Sequence, residues 1–252
     1  MMISRACFAI SSRGGTSGVR VKMLLTLTKL FVRLTATRAR LLALGLLSLG
    51  MVLLAVRVNE NPTRAWRLFS LYALGGLVPV ASLVIGSSTF GDLVDDRTLV
   101  HLWLRPVSRP LLLLSAWSAS VLLALPFTVL VPMLSMSVAR MPASTIRTSV
   151  FSALLGTLTY CAVFVTLGLR VRRALGWGLA YILIWEGAVA NAGAGLARLA
   201  LRLSTRSIAF RSFDGESIKY PVATSTAISV LVVVCIGALA LGTRWLRRAE
   251  VS

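Results

Sequence analysis

LLLLSAWSASVLLALPFTVLVPMLSMSV, residues 111–138, carries no ionisable side chain. A hydrocarbon core about 30 Å thick asks for roughly 20 apolar residues per helix, so this one stretch is long enough to cross a bilayer. Working outward from it, comparable apolar runs occupy 41–56, 68–90, 149–169, 174–196 and 222–241. Hydrophobic residues make up 57% of the chain and charged residues 14%, with a mean hydropathy of +0.84. That is more apolar surface than a soluble domain of 252 residues can hide. The chain reads as an all-α, polytopic membrane protein with six transmembrane helices.

The formal charge of +19 comes from 27 Lys and Arg against 8 Asp and Glu. The basic residues flank spans and form no stripe on a soluble module with interleaved aromatics, which argues against nucleic acid as the partner. An even number of spans puts both termini on one side. The tail up to Arg40 holds Arg5, Arg13, Arg20, Lys22, Lys29, Arg33, Arg38 and Arg40, so the positive-inside rule places it in the cytoplasm of a cell whose plasma membrane the chain spans. Arg170, Arg172 and Arg173 then fall in a cytoplasmic turn, and Arg244, Arg247 and Arg248 in a cytoplasmic tail. Arg198, Arg202, Arg206, Arg211 and Lys219 fall outside, so the orientation leans on the N-terminal tail. The stretch from Arg202 to Tyr220 reads as the largest external connection, a basic cap. Trp66, Trp103, Trp177 and Trp245 sit near span ends, as interface anchors do.

Residues 1–20, rich in Ser, Gly and Arg, read as a disordered basic tail, and 21–252 as a single transmembrane domain. The apolar part of Ala6 to Ile10 is too short for the core of a signal peptide, so the first span is expected to direct insertion. From Val21 to Thr35 apolar positions recur at helical spacing, with Lys22, Lys29 and Arg33 interspersed. Basic residues on both sides make one continuous span costly, so this segment reads as a helix lying in the membrane interface. Cys7, Cys161 and Cys235 show neither a disulfide framework nor metal-ligand spacing. Gly75, Gly76, Pro79, Pro126, Pro132, Gly187 and Gly195 offer close approaches and kinks.

Between the second and third spans lies GDLVDDRTL, residues 91–99, running on to Arg105-Pro-Val-Ser-Arg109. Asp92, Asp95 and Asp96 are expected near the start of a helix, where carboxylates offset the positive end of its dipole. Leu99, Leu102 and Trp103 share one apolar face, the helix stops before Pro106, and Arg105 and Arg109 bracket the turn into the third span. A short amphipathic helix, acidic at one end and basic at the other, is a surface suited to a partner. Glu186 is the one acidic residue deep in a span, a candidate polar contact in a pathway or at a dimer seam together with Asn191, or a structural group satisfied by neighbours. His101 stands without other ligands at metal spacing, and no metal site is expected.

Asp92, Asp95, Asp96, Arg97, Thr98, Leu99, Leu102, Leu104, Arg105, Pro106, Val107, Ser108 and Arg109 together resemble the segment between the second and third spans of type-two ATP-binding cassette permeases. The likeness runs from about Lys22 through the six spans and includes Trp185-Glu186-Gly187 in the fifth. It departs at Arg97, where many members have Gly, and at Ser115-Ala116-Trp117, where many have Gly-Lys. The resemblance implies a non-catalytic permease, an exporter subunit that pairs with a second permease chain. It further implies docking of a separate cytoplasmic ATPase through Asp92, Asp95, Asp96, Arg97, Thr98, Leu99, Leu102, Arg105 and Arg109. The sequence has no G-x-x-x-x-G-K-[ST] loop to cradle phosphates, so ATP and magnesium are expected on the partner and no cofactor on this chain. Two alternatives stay open: a secondary transporter, and a membrane-embedded enzyme without a recognisable catalytic motif. The substrate is not legible.

Overall fold

The computed structural model describes residues 16–58, 62–95, 108–171, 173–188, 200–211 and 222–248. Among them every regular element is helical: α1 (Thr16–Thr35), α2 (Arg38–Arg57), α3 (Pro62–Leu68), α4 (Val78–Asp95), α5 (Arg109–Leu125), α6 (Val131–Val138), α7 (Ala143–Arg170), α8 (Ala174–Ala180), α9 (Leu201–Phe210) and α10 (Thr224–Arg248). Wider, π-helical turns at Phe69–Leu77, Pro126–Leu130 and Tyr181–Ala188 join α3 to α4, join α5 to α6, and extend α8. Five rods are long and apolar enough to cross a membrane: Arg38–Arg57, Thr63–Gly91, Arg109–Val138, Ala143–Arg170 and Thr224–Arg247. They match five of the six expected spans. The sixth, expected over 174–196, is helical through Ala188, and its remainder, with Gly195, lies outside the described residues.

The wide turns have a local cause. Proline lacks an N–H, and its ring crowds the carbonyl four residues earlier. Pro79 and Pro132 follow the stretches Phe69–Leu77 and Pro126–Leu130, so the crowded carbonyls of Gly75 and Thr128 fall inside the widened turns. Each rod runs on through its wide turn without ending.

The fourth rod, α7, is the axis of the bundle. It carries the small and hydroxylated residues Ser149, Ser152, Gly156, Thr157, Thr159, Thr166 and Gly168, all buried. Small residues let backbones approach, and hydroxyls bond across helices where lipid offers no competing water. A β-carbon added at Gly168 would stand 2.5 Å from the Ser87 carbonyl oxygen, and one at Gly86 would meet Phe164 at 3.1 Å, so the second and fourth rods touch backbone to backbone. Thr157 donates to the Thr128 hydroxyl at 2.8 Å, and Trp117 Nε1–H to the Leu158 carbonyl at 3.0 Å. On the other side Thr159 and Thr166 hydroxyls donate to the carbonyls of Leu231 and Ala238 in α10. The first rod is tied in by Tyr72, whose hydroxyl donates to the Leu47 carbonyl at 2.9 Å.

α1 begins at Thr16, earlier than the expected Val21, and is separated from α2 by the extended Thr37. It does not lengthen the first rod. Phe31 meets Phe90 edge-on at 5.6 Å, and the Thr28 and Ser118 hydroxyls share a hydrogen bond of 3.0 Å, which seats α1 on the first half of the third rod. Phe31, Phe90, Leu112, Leu113, Val165 and Leu246 form one cluster. The start of α2, the ends of the second, fourth and last rods and the start of the third therefore share one end of the bundle, called basal below.

Trp66 corrects the sequence expectation. It is 0% exposed, packed against Phe69 and Phe210 at 5.6 and 5.3 Å, a core side chain and not an interface anchor. Trp177, by contrast, is exposed as expected, whereas Trp103 lies outside the described residues.

Candidate functional site

The fifth run starts at Ala174, beside the basal end of α7, after a turn in which Arg173 takes a left-handed φ of 58°. At about 1.5 Å per residue, Glu186 stands roughly 15 to 18 Å along it. Tyr160 is about 15 Å from the Arg170 end of α7 by the same measure. The two residues meet well inside the bundle.

α9 completes the site and corrects the reading of Arg202 to Tyr220 as an external basic cap for Arg202 to Phe210, while 212–220 lie outside the described residues. Its residues Leu201, Ser204, Thr205, Ile208 and Ala209 are buried, because Leu, Ser, Thr and Ala at spacings of three and four give it a face that fits small-residue grooves. Thr205 lies against Gly156, where an added β-carbon would be 2.9 Å from its methyl, and its carbonyl accepts from the Ser152 hydroxyl. At the other end, Val222 N–H donates to the Ser207 hydroxyl, and Arg211 donates to Thr224 at 3.0 Å. α9 thus runs from the level of Glu186 to the start of the last rod. Arg202 and Arg206 in its sequence pattern disguised this, since guanidinium groups ordinarily signal water.

Glu186 holds the near end of α9. Its Oε2 accepts the Arg202 backbone N–H at 2.8 Å, and its Oε1 accepts the Tyr181 hydroxyl at 3.2 Å. The residue is 2% exposed. The first N–H groups of a helix have no partner within it, and the helix dipole favours a negative group there. A carboxyl group from the fifth run therefore caps a helix that follows it in sequence. The Tyr160 hydroxyl faces Glu186 and interacts with it electrostatically, while Arg202 Nε finds no hydrogen-bond partner among the described residues. The Arg202 guanidinium packs on Gly75, where a β-carbon would be 2.5 Å from Nη2. Two of the wide turns, Phe69–Leu77 and Tyr181–Ala188, thereby frame the cap. Sequence reasoning singled out Glu186 but missed Tyr160, Tyr181 and Arg202 as its surroundings; Asn191 lies outside the described residues.

The segment between the second and third rods is seen at its edges. Asp92 and Asp95 lie in the last turn of α4, and Arg109 opens α5 after the extended Ser108. The expectation that the aspartates begin a helix is corrected: for Asp92 and Asp95 the helix of the second rod continues through Gly91 and includes them. Asp96, Arg97, Thr98, Leu99, His101, Leu102 and Arg105 lie outside the described residues. Among the described residues no group of three or more His, Cys, Asp and Glu could hold a metal. The chain matches no known protein-family model, and no curated protein matches it.

Proposed function

We propose that this chain is the membrane permease subunit of an ATP-binding cassette exporter, forming its pathway with a second permease chain and driven by a separate cytoplasmic ATPase. The observation that carries the reading is the acidic-to-basic segment 92–109, which joins two apolar rods at the basal end. Its acidic start and basic end, Asp92 to Arg109, complement opposite charges on a docked partner. On this reading the fifth run and α9 together make the remaining crossing, giving six with both termini in the cytoplasm. Nucleotide-driven closure of the ATPase pair pushes on 92–109, and the rods yield at their wide turns.

The test is to reverse Asp95 and Asp96 to Lys in the complex. The ATPase should no longer co-purify while the permease still inserts and folds; undiminished co-purification counts against the proposal. A second reading, a secondary transporter, is favoured by the N-terminus of α9, whose Arg202 N–H meets the buried carboxyl group of Glu186 in the fifth run. Transport by the reconstituted chain alone, without any ATPase, would support that reading instead.

A further inference from the structure

α1 has two working faces, and the rest of the bundle uses only one. Thr28, Phe31 and Thr35 are buried, and their contacts with Ser118 and Phe90 fix the rotation of the helix about its axis. At 100° per residue, Lys22, Lys29 and Arg33 then fall within a narrow sector on the opposite side. All three are exposed. Flanking this basic ridge are Val21 and Leu25 on one shoulder and Leu30 and Leu34 on the other, between 40% and 59% exposed. The helix sequence TSGVRVKMLLTLTKLFVRLT contains no acidic residue, so nothing within α1 neutralises the ridge.

We propose that this ridge docks the helix on anionic phospholipid headgroups of the leaflet at the basal end. The shoulders decide between candidate partners. A nucleic acid or an acidic protein satisfies the cations but leaves four large apolar side chains in water. An anionic leaflet satisfies both, with acyl chains under the shoulders and phosphates over the ridge. The inference rests only on the chain lying in a membrane and is independent of any ATPase.

The experiment uses the full chain in nanodiscs of phosphatidylcholine and phosphatidylglycerol in equal parts, with bound lipids counted by native mass spectrometry. Wild type should retain phosphatidylglycerol in preference to phosphatidylcholine. Lys22→Gln, Lys29→Gln and Arg33→Gln combined should abolish the preference, by roughly fivefold for each charge removed. Lys22→Arg with Lys29→Arg, which keeps the charge, should retain it and controls for folding. An unchanged lipid preference in the triple Gln variant overturns the proposal. So does a triple variant that sheds a bound acidic protein or nucleic acid with its lipid preference intact.

Discussion

Replacing Glu186 by Ala strands two buried donors, the Arg202 N–H and the Tyr181 hydroxyl. A buried donor left unsatisfied costs about 1 to 3 kcal/mol, so Glu186→Ala is expected to destabilise the folded chain by about 2 to 4 kcal/mol. Glu186→Gln keeps one acceptor oxygen but turns an amide N–H toward a second donor, and should fall between Ala and wild type. Tyr181→Phe removes one donor and leaves the cap intact, costing about 1 kcal/mol. Thermal unfolding in detergent ranks the three, and a Glu186→Ala variant that melts with wild type would refute the cap. The carboxyl group was conspicuous in the sequence as the one acid deep in a span. Its partners were not, because a donor on a backbone N–H has no side-chain signature and the helix carrying it read as an exterior loop.

Arg140 illustrates what an element can require against the preference of its residue. The third rod ends with Arg140 N–H bonded to the Ser137 carbonyl and Met141 N–H to that of Met136, both at 3.1 Å, while Arg140 adopts a φ of 52°. This is a Schellman cap, whose left-handed position favours glycine. Arg140→Gly should raise stability by roughly 0.5 to 1 kcal/mol, the relief of left-handed strain less the added entropy of the unfolded glycine. Unfolding by denaturant measures it, and a lower midpoint for the variant would contradict the cap. Glycines also separate by surroundings. Gly168→Ala drives a methyl onto the Ser87 carbonyl, whereas nothing lies within 4 Å of a β-carbon at Gly237. The first change should cost about 1 to 3 kcal/mol, and the second should be neutral or favourable by up to about 1 kcal/mol, in the same melting assay. The sequence presents both as glycines in apolar runs; only the neighbouring rod distinguishes them.

Across the whole bundle, apolar length was legible and arrangement was not. The rods expected at 41–56, 68–90, 111–138, 149–169 and 222–241 are present, each a few residues longer at one end or both, because span length is set by the solvent and each helix satisfies its own backbone. α9 escaped detection because a helix shielded by other helices needs no long apolar run, and its arginines mimic a wetted loop. Its tie to the fourth rod can be tested directly. A β-carbon at Gly156 would lie 3.9 Å from that of Thr205, within the range that a disulfide spans. Gly156→Cys with Thr205→Cys is therefore expected to form a bond on oxidation, seen as a loss of alkylation by mass spectrometry. If α9 shifts during turnover of the proposed complex, that bond should halt transport until it is reduced. Full transport with the bond verified would mean that α9 stays fixed.

The short cap at Arg140 also bears on how the chain is made. Because it reverses direction over so few residues, with Thr128 facing Thr157 and Trp117 facing Leu158, it holds the two limbs side by side. The two limbs would leave the ribosome-bound insertion channel as a hairpin already zipped by its own hydroxyl and indole contacts. The carbonyls of Leu231 and Ala238 would then meet a paired template, with α10 added to its flank.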